Sequence, residues 1–127
     1  MPERPSIAFI GAGRVASFLA PVVASLGHQV NSIASRSFAS AQRVANLVEN
    51  CEARSVQEAA SSAELVFITT PDDAIEAVAS EITWSVDHSA VHCSGAMTLE
   101  PLKTAQLAGA AIGSWHPFQT FGGHVLL

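Results

Sequence analysis

Basic side chains are scarce: six Lys and Arg stand against eleven Asp and Glu, for a formal charge of −5 at pH 7. A nucleic-acid surface needs clustered Lys and Arg to neutralise phosphates, and no such cluster occurs, so no nucleic-acid partner is expected. A nucleotide cofactor stays open, because one well-placed arginine and a set of backbone amides suffice for it. Cysteine is also scarce. Cys51 and Cys93 are the only two, far apart in sequence, and read as reduced thiols rather than a disulfide. No C-x-x-C or paired-histidine spacing marks a metal site. Long apolar runs are missing as well. Leu65–Ile68 and Ser6–Ile10 are the longest, whereas a membrane-spanning helix needs roughly 20 apolar residues in a row. The hydrophobic fraction of 49% is high, but much of it is alanine. Met1-Pro2-Glu3-Arg4-Pro5 lacks the basic-then-apolar order of a signal peptide, so the expectation is a cytoplasmic protein that meets no membrane.

What is present is an alternation of short β-branched runs with alanine-rich, helix-period segments. That is the pattern of an α/β fold, a doubly wound, mostly parallel Rossmann sheet with helices on both faces. The 127 residues fit one compact domain. Strands are expected at 6–10, 28–34, 53–55, 64–69, 90–93 and 110–115. Helices are expected at 13–26, 38–49, 56–60, from Pro71 to about Ile82, and at 99–107. In the first helix Val15, Phe18, Leu19, Val22, Val23 and Leu26 form the apolar stripe, and Gly27 stops it. In the second, Ala39, Val44, Leu47 and Val48 supply the buried face.

Gly11-Ala12-Gly13-Arg14-Val15-Ala16 reads G-x-G-x-x-A directly after a strand and at the start of a helix. The first glycine permits a tight turn, the second lets a pyrophosphate approach the backbone, and Ala16 allows close helix–strand packing. The free amides at the helix start then hold the phosphates. An NAD-preferring domain places Asp or Glu at the end of the second strand. Here that place holds Ser35-Arg36-Ser37. Arg36 can pair with a 2′-phosphate through its planar fork, the serines can donate to it, and Arg14 adds charge. The expected cofactor is therefore NADP. The competing reading makes Arg36 a solvated loop residue and Ser37 a helix cap.

The glycine turn, Ser35-Arg36-Ser37, Thr69-Thr70-Pro71-Asp72, His92-Cys93-Ser94-Gly95-Ala96 and Gly113-Ser114-Trp115-His116-Pro117-Phe118-Gln119-Thr120-Phe121 follow one another in an order that resembles a known group. These are the Rossmann-like oxidoreductases with a helical C-terminal domain of unknown function. They are relatives of pyrroline-5-carboxylate reductase and of the 6-phosphogluconate and β-hydroxyacid dehydrogenases. The resemblance implies an NAD(P)-binding domain followed by a helical domain that dimerises and helps to close the active site. The present sequence stops just after the H-P-F-Q-T-F segment. The expectation is thus a dinucleotide-binding domain over residues 1–127, cut from a longer polypeptide, with any homodimer formed mainly through the absent part. The catalytic lysine of the β-hydroxyacid dehydrogenases has no assignable counterpart here.

Ligands of open parallel sheets lie outside the carboxyl ends of the strands. Thr69-Thr70-Pro71 falls there and should meet the nicotinamide ribose and pyrophosphate; it also reads as a helix start, with Thr70 as cap and Pro71 in the first turn. Ser94 could bond a substrate carboxylate or the nicotinamide carboxamide, with Gly95 letting the backbone come close. His92, by strand alternation, reads as a packed, hydrogen-bonded histidine. His116 is a candidate general acid for a carbonyl or imine, against a role in capping its own loop. Cys93 reads as a buried thiol. The leading reading is an NADP-dependent oxidoreductase acting on a small carbonyl, hydroxy or imine substrate. The rivals are a non-catalytic nucleotide-binding or sensor module and a deazaflavin-dependent reductase, with NAD as the alternative nicotinamide cofactor.

Overall fold

The computed structural model describes residues 4–115. Six strands form one all-parallel sheet in the order β3-β2-β1-β4-β5-β6. They are β1 Ile7–Ile10, β2 Val30–Ala34, β3 Glu52–Ala53, β4 Leu65–Ile68, β5 Ser89–His92 and β6 Ala111–Ser114. The helices are α1 Arg14–Ser25, α2 Phe38–Ala45, α3 Val56–Ser61, α4 Ile75–Glu81 and α5 Lys103–Leu107; 3-10 turns at Asp72–Ala74 and Glu100–Leu102 lead into the last two.

Central strands of a parallel sheet are covered on both faces and so carry unbroken apolar runs. Every residue of β1 is buried. Its alternate side chains serve opposite layers. Ile7 and Phe9 join α1 and α2 through Leu19, Val23 and Val44; Ala8 and Ile10 join the layer of Ala59, Ile75, Ala79, Leu102 and Ala105. Phe9 stacks on Phe67 of the paired strand at 5.1 Å between ring centroids, and Phe67 meets Trp115 at 5.9 Å.

The helices differ from expectation in which residues they bury. The side of α1 against the sheet is Ala16, Leu19, Ala20 and Val23, while Phe18 and Leu26 remain 39% and 50% exposed. Small alanines beside Leu19 and Val23 let the helix approach the strands, and Phe18 and Leu26 fall off the buried face. Gly27, at φ +94, ends the helix as the sequence indicated. Helix α2 stops at Ala45, so Leu47 lies past its end and is 53% exposed; Ala41 and Ala45 take the buried places assigned to Ala39 and Leu47.

Helix starts are fixed by local chemistry. Ser37 caps α2 by accepting from the Ser40 amide. Ser55 and Glu58 form a reciprocal capping box on α3, and the Ser55 hydroxyl and amide, bonded to Glu58, hold its carboxyl below the ordinary value. Thr70 and Pro71 behave otherwise than expected. Pro71 is the residue before the turn, at φ −55 and ψ 151, and the Thr70 hydroxyl caps nothing.

Candidate functional site

The sheet order reverses direction between β1 and β4, and at such a point the loops above the carboxyl ends part to leave a crevice. A cleft of about 1020 Å³ opens there. Its floor is Ile10 and the turn Gly11–Val15; one rim is Ser35, Arg36 and Ser40, and the other runs from Thr69 to Ala74.

The turn is held by its neighbours. Gly11 donates its amide to the Ala34 carbonyl at 2.7 Å. Thr69 donates its amide to Ile10 at 2.8 Å and its hydroxyl to the Gly11 carbonyl at 2.9 Å. These bonds fix the ends of β1, β2 and β4 relative to one another. Helix α1 then begins with no side-chain cap and no acidic residue in its first turn. Its opening amides have no protein partner among the described residues. Arg14 stands at this positive helix end, an unfavourable place for a cation unless an anion joins it. By contrast α3 carries Glu58 there, and Asp72 and Asp73 open the turn before α4. A Cβ placed on Gly13 would meet open space. The Thr70 hydroxyl, in the cleft wall, is buried without a partner. Uncapped amides, an arginine beside them, an open approach and an orphan hydroxyl together fit an anionic ligand with further polar groups.

The charges of the cleft are separated. Arg14 and Arg36 lie on the β1–β2 side, and Asp72, Asp73 and Glu81 on the β4–α4 side. Ser35 accepts from the Ser37 amide at 3.3 Å, so its hydroxyl hydrogen stays available to a ligand.

Not every residue picked from sequence lines this space. Gly11, Ala12, Gly13, Arg14, Val15, Ser35, Arg36, Thr69, Thr70 and Pro71 do. Ala16 is fully buried beneath the turn, and Ser37 is occupied as a cap. Ser94 and Gly95 lie outside the lining; the Ser94 hydroxyl accepts from the amides of Ala96 and Met97. His116 lies outside the described residues, as does the Thr120–Leu127 tail. The sequence reading passed over Ser40, Val56, Ala74, Ala77, Val78 and Glu81, all of which line the cleft. The helical spacing of 74, 77, 78 and 81 was the signal that would have found the last four.

His92 is fully buried. Its Nδ1 accepts from the Ser94 amide at 3.1 Å, so Nε2 carries the proton and donates to the Thr98 carbonyl at 2.7 Å. It is a packed histidine. Burial pushes the Cys93 thiol up to about 12 and the Cys51 thiol up to about 11, from an ordinary 9.0. Both thiols are thus neutral and poorly nucleophilic at physiological pH. The raised value carries a pH dependence. The unfolded chain starts to lose these protons near pH 9 and the folded chain later, so stability is intact below pH 9 and falls as pH rises toward 12. For Cys93 alone the loss at pH 10 should be on the order of 1 kcal/mol. Urea melts of wild type and Cys93→Ala at pH 7 and pH 10 test this: the variant should lose less, and equal losses would rule it out.

A model of the Rossmann-like domain family matches residues 1–117. The chain belongs to that family. Solved structures repeat this Rossmann-like domain. A protein of Bacteroides fragilis assigned as an NADP oxidoreductase is similar over 93% of the chain at 24% identity and a TM-score of 0.72. An imine reductase of a Pseudomonas species covers 87% at 21% identity and 0.69. The quinate dehydrogenase of Corynebacterium glutamicum, in complex with NAD, covers 87% at 19% identity and 0.63. The chain spans 46%, 39% and 44% of these three proteins. No curated protein matches it. Among the described residues no helix is long and apolar enough to cross a membrane, and no cluster of His, Cys, Asp or Glu could hold a metal ion.

Proposed function

We propose that this Rossmann-like domain binds NADP(H) and supplies the cofactor half of an oxidoreductase acting on a small carbonyl, hydroxy or imine compound. The observation that carries the reading is the cleft itself. An uncapped helix start with Gly13 open above it shares one cavity with Arg14, Arg36 and Ser35, and no carboxylate ends β2. The pyrophosphate sits over the amides of the turn, Thr70 bonds the cofactor next to it, and Arg36 takes the 2′-phosphate. The neighbouring NADP oxidoreductase and imine reductase are consistent with this chemistry. When bound, the cofactor carries the hydride; the chain's share is to bind and orient. In the same reading His116 is the general acid and the Ser94 hydroxyl, already accepting two amides, donates to the substrate. Cytoplasmic residence and a homodimer formed through a helical partner domain complete the proposal.

A second reading has its own support. The described lining of the cleft contains no histidine, lysine or cysteine. This favours a chain that binds the nucleotide without turning over substrate by itself.

Calorimetric titration with NADPH, NADH and a reduced deazaflavin tests the cofactor. NADPH should bind most tightly. Arg36→Ala should weaken NADPH by about 10- to 100-fold, the worth of a charge-assisted bidentate pair, and leave NADH within about threefold. Equal loss for both nucleotides would sink the 2′-phosphate assignment.

A further inference from the structure

Thr69 directly follows β4 and is buried. Its hydroxyl donates to the Gly11 carbonyl at 2.9 Å, with a longer approach of 3.3 Å to the Ile10 carbonyl. The Ile10 carbonyl already accepts the Thr69 amide at 2.8 Å. The bond that only the hydroxyl supplies is therefore the one to Gly11.

That carbonyl belongs to the peptide unit joining Gly11 to Ala12. The unit is trans, so it is planar and its C=O and N–H point in opposite directions. Holding the Gly11 oxygen against Thr69 turns the Ala12 N–H away from β4. Gly11 and Ala12 both line the cleft. Ala12 is only 8% exposed, and its amide has no acceptor among the described residues. A buried amide without a partner is costly, so this one is set up for an acceptor that a ligand brings.

Gly11 does not hold this plane by itself. It has no Cβ to restrict rotation about its Cα–C bond. Its own amide bond, to the Ala34 carbonyl, fixes the preceding peptide unit and not this one. Among the described hydrogen bonds, the one from the Thr69 hydroxyl sets the orientation of the Gly11–Ala12 unit.

We infer that Thr69 is a positioning residue: through the Gly11 carbonyl, its hydroxyl aims the Ala12 N–H at an oxygen of the bound dinucleotide. The inference rests on the dinucleotide reading above and adds to it the side chain that sets the peptide plane of the turn.

Valine keeps the shape of threonine without the donor, and serine keeps the donor. The test is calorimetric titration of wild type, Thr69→Val and Thr69→Ser with NADPH and NADH. Thr69→Val should weaken both nucleotides by about tenfold, the scale of one hydrogen bond to a charged group. Arg36→Ala, by contrast, strikes NADPH alone. Thr69→Ser should stay within about threefold of wild type. A second readout is one that a merely structural role would not move. In proton–nitrogen correlation spectra, saturating NADPH should shift the Ala12 amide peak in wild type, Thr69→Ser and Arg36→Ala, and leave it in place in Thr69→Val. If wild type binds NADPH and Thr69→Val binds it equally well, or the Ala12 shift survives in that variant, the positioning role is overturned and the dinucleotide site stands. Should Thr69→Val not fold, wild type decides, because an Ala12 peak unmoved by saturating NADPH overturns the role as well. If wild type binds neither nucleotide, both readings fall together.

Discussion

Gly11→Ala is expected to cost roughly 3–5 kcal/mol of stability and to abolish dinucleotide binding. Gly11 has φ +115, a conformation that L side chains rarely adopt. A Cβ there would also lie 2.7 Å from the Thr69 carbonyl carbon, 2.8 Å from the Thr70 nitrogen and 2.9 Å from the Thr69 oxygen. These are backbone atoms, and the hydrogen bonds from Thr69 to Ile10 and Gly11 hold them in place. No rotamer change can relieve the contact. Relief requires β1 and β4 to separate at their carboxyl ends, where the cleft opens. Gly13→Ala is the informative contrast. Its φ is −91, and an added methyl meets nothing within 4 Å, so stability should stay within about 0.5 kcal/mol. That empty space is the one assigned to the pyrophosphate, and NADPH affinity should still fall by at least about tenfold. Urea melts and nucleotide titrations on the two variants separate the roles. A Gly11→Ala protein as stable as wild type would refute the steric argument. Wild-type binding by Gly13→Ala would remove the pyrophosphate from this turn.

Much of this site was legible because its chemistry is local in sequence. The strand, the glycine turn and the helix that opens after it are consecutive, and so are the end of β2 and Ser35-Arg36-Ser37. All six strands were placed to within one or two residues at most ends, most readily β1 and β4, because a strand buried on both faces leaves a continuous apolar stretch. Helix interiors were read less well. A stripe drawn from the largest apolar residues put Phe18 and Leu26 in the core of α1, whereas close approach to the sheet selects alanine. Apolar residues after Ala45 suggested a longer α2, but the helix ends at Ala45 and Leu47 beyond it is 53% exposed. Thr70-Pro71 looked like a cap and a first turn, and the cleft shows a proline ahead of a 3-10 turn and a free hydroxyl. The wall formed by α4 was not legible because Ala74, Ala77 and Val78 are small apolar residues that carry no ligand signature in sequence. Ser94 followed from the rule that ligands meet the carboxyl ends of strands. Its loop follows β5, one strand beyond β4, and its hydroxyl accepts from the amides of Ala96 and Met97 while keeping its hydrogen to donate.

His92→Ala should destabilise the chain by roughly 3–5 kcal/mol while leaving the nucleotide cleft chemically unchanged. The histidine sits at the end of β5, two residues before Ser94, and strand alternation already favoured a packed side chain over a catalytic one. Its surroundings agree. No part of it is exposed, and both ring nitrogens are engaged by the backbone of the loop that follows, at Ser94 and Thr98. The loop cannot use sheet bonds there, so the imidazole takes their place and the Ser94 hydroxyl secures the amides of Ala96 and Met97. Truncation leaves a backbone amide and a carbonyl without partners, each worth about 1–3 kcal/mol when buried, and opens a cavity of imidazole size. His92 does not line the cleft. NADPH affinity of the folded variant, measured below its melting temperature, should therefore remain within about threefold of wild type. Urea denaturation and calorimetry read the two quantities independently. Wild-type stability would show that the ring is not what closes the loop; a large loss of affinity in a folded, stable variant would place His92 in the binding machinery instead.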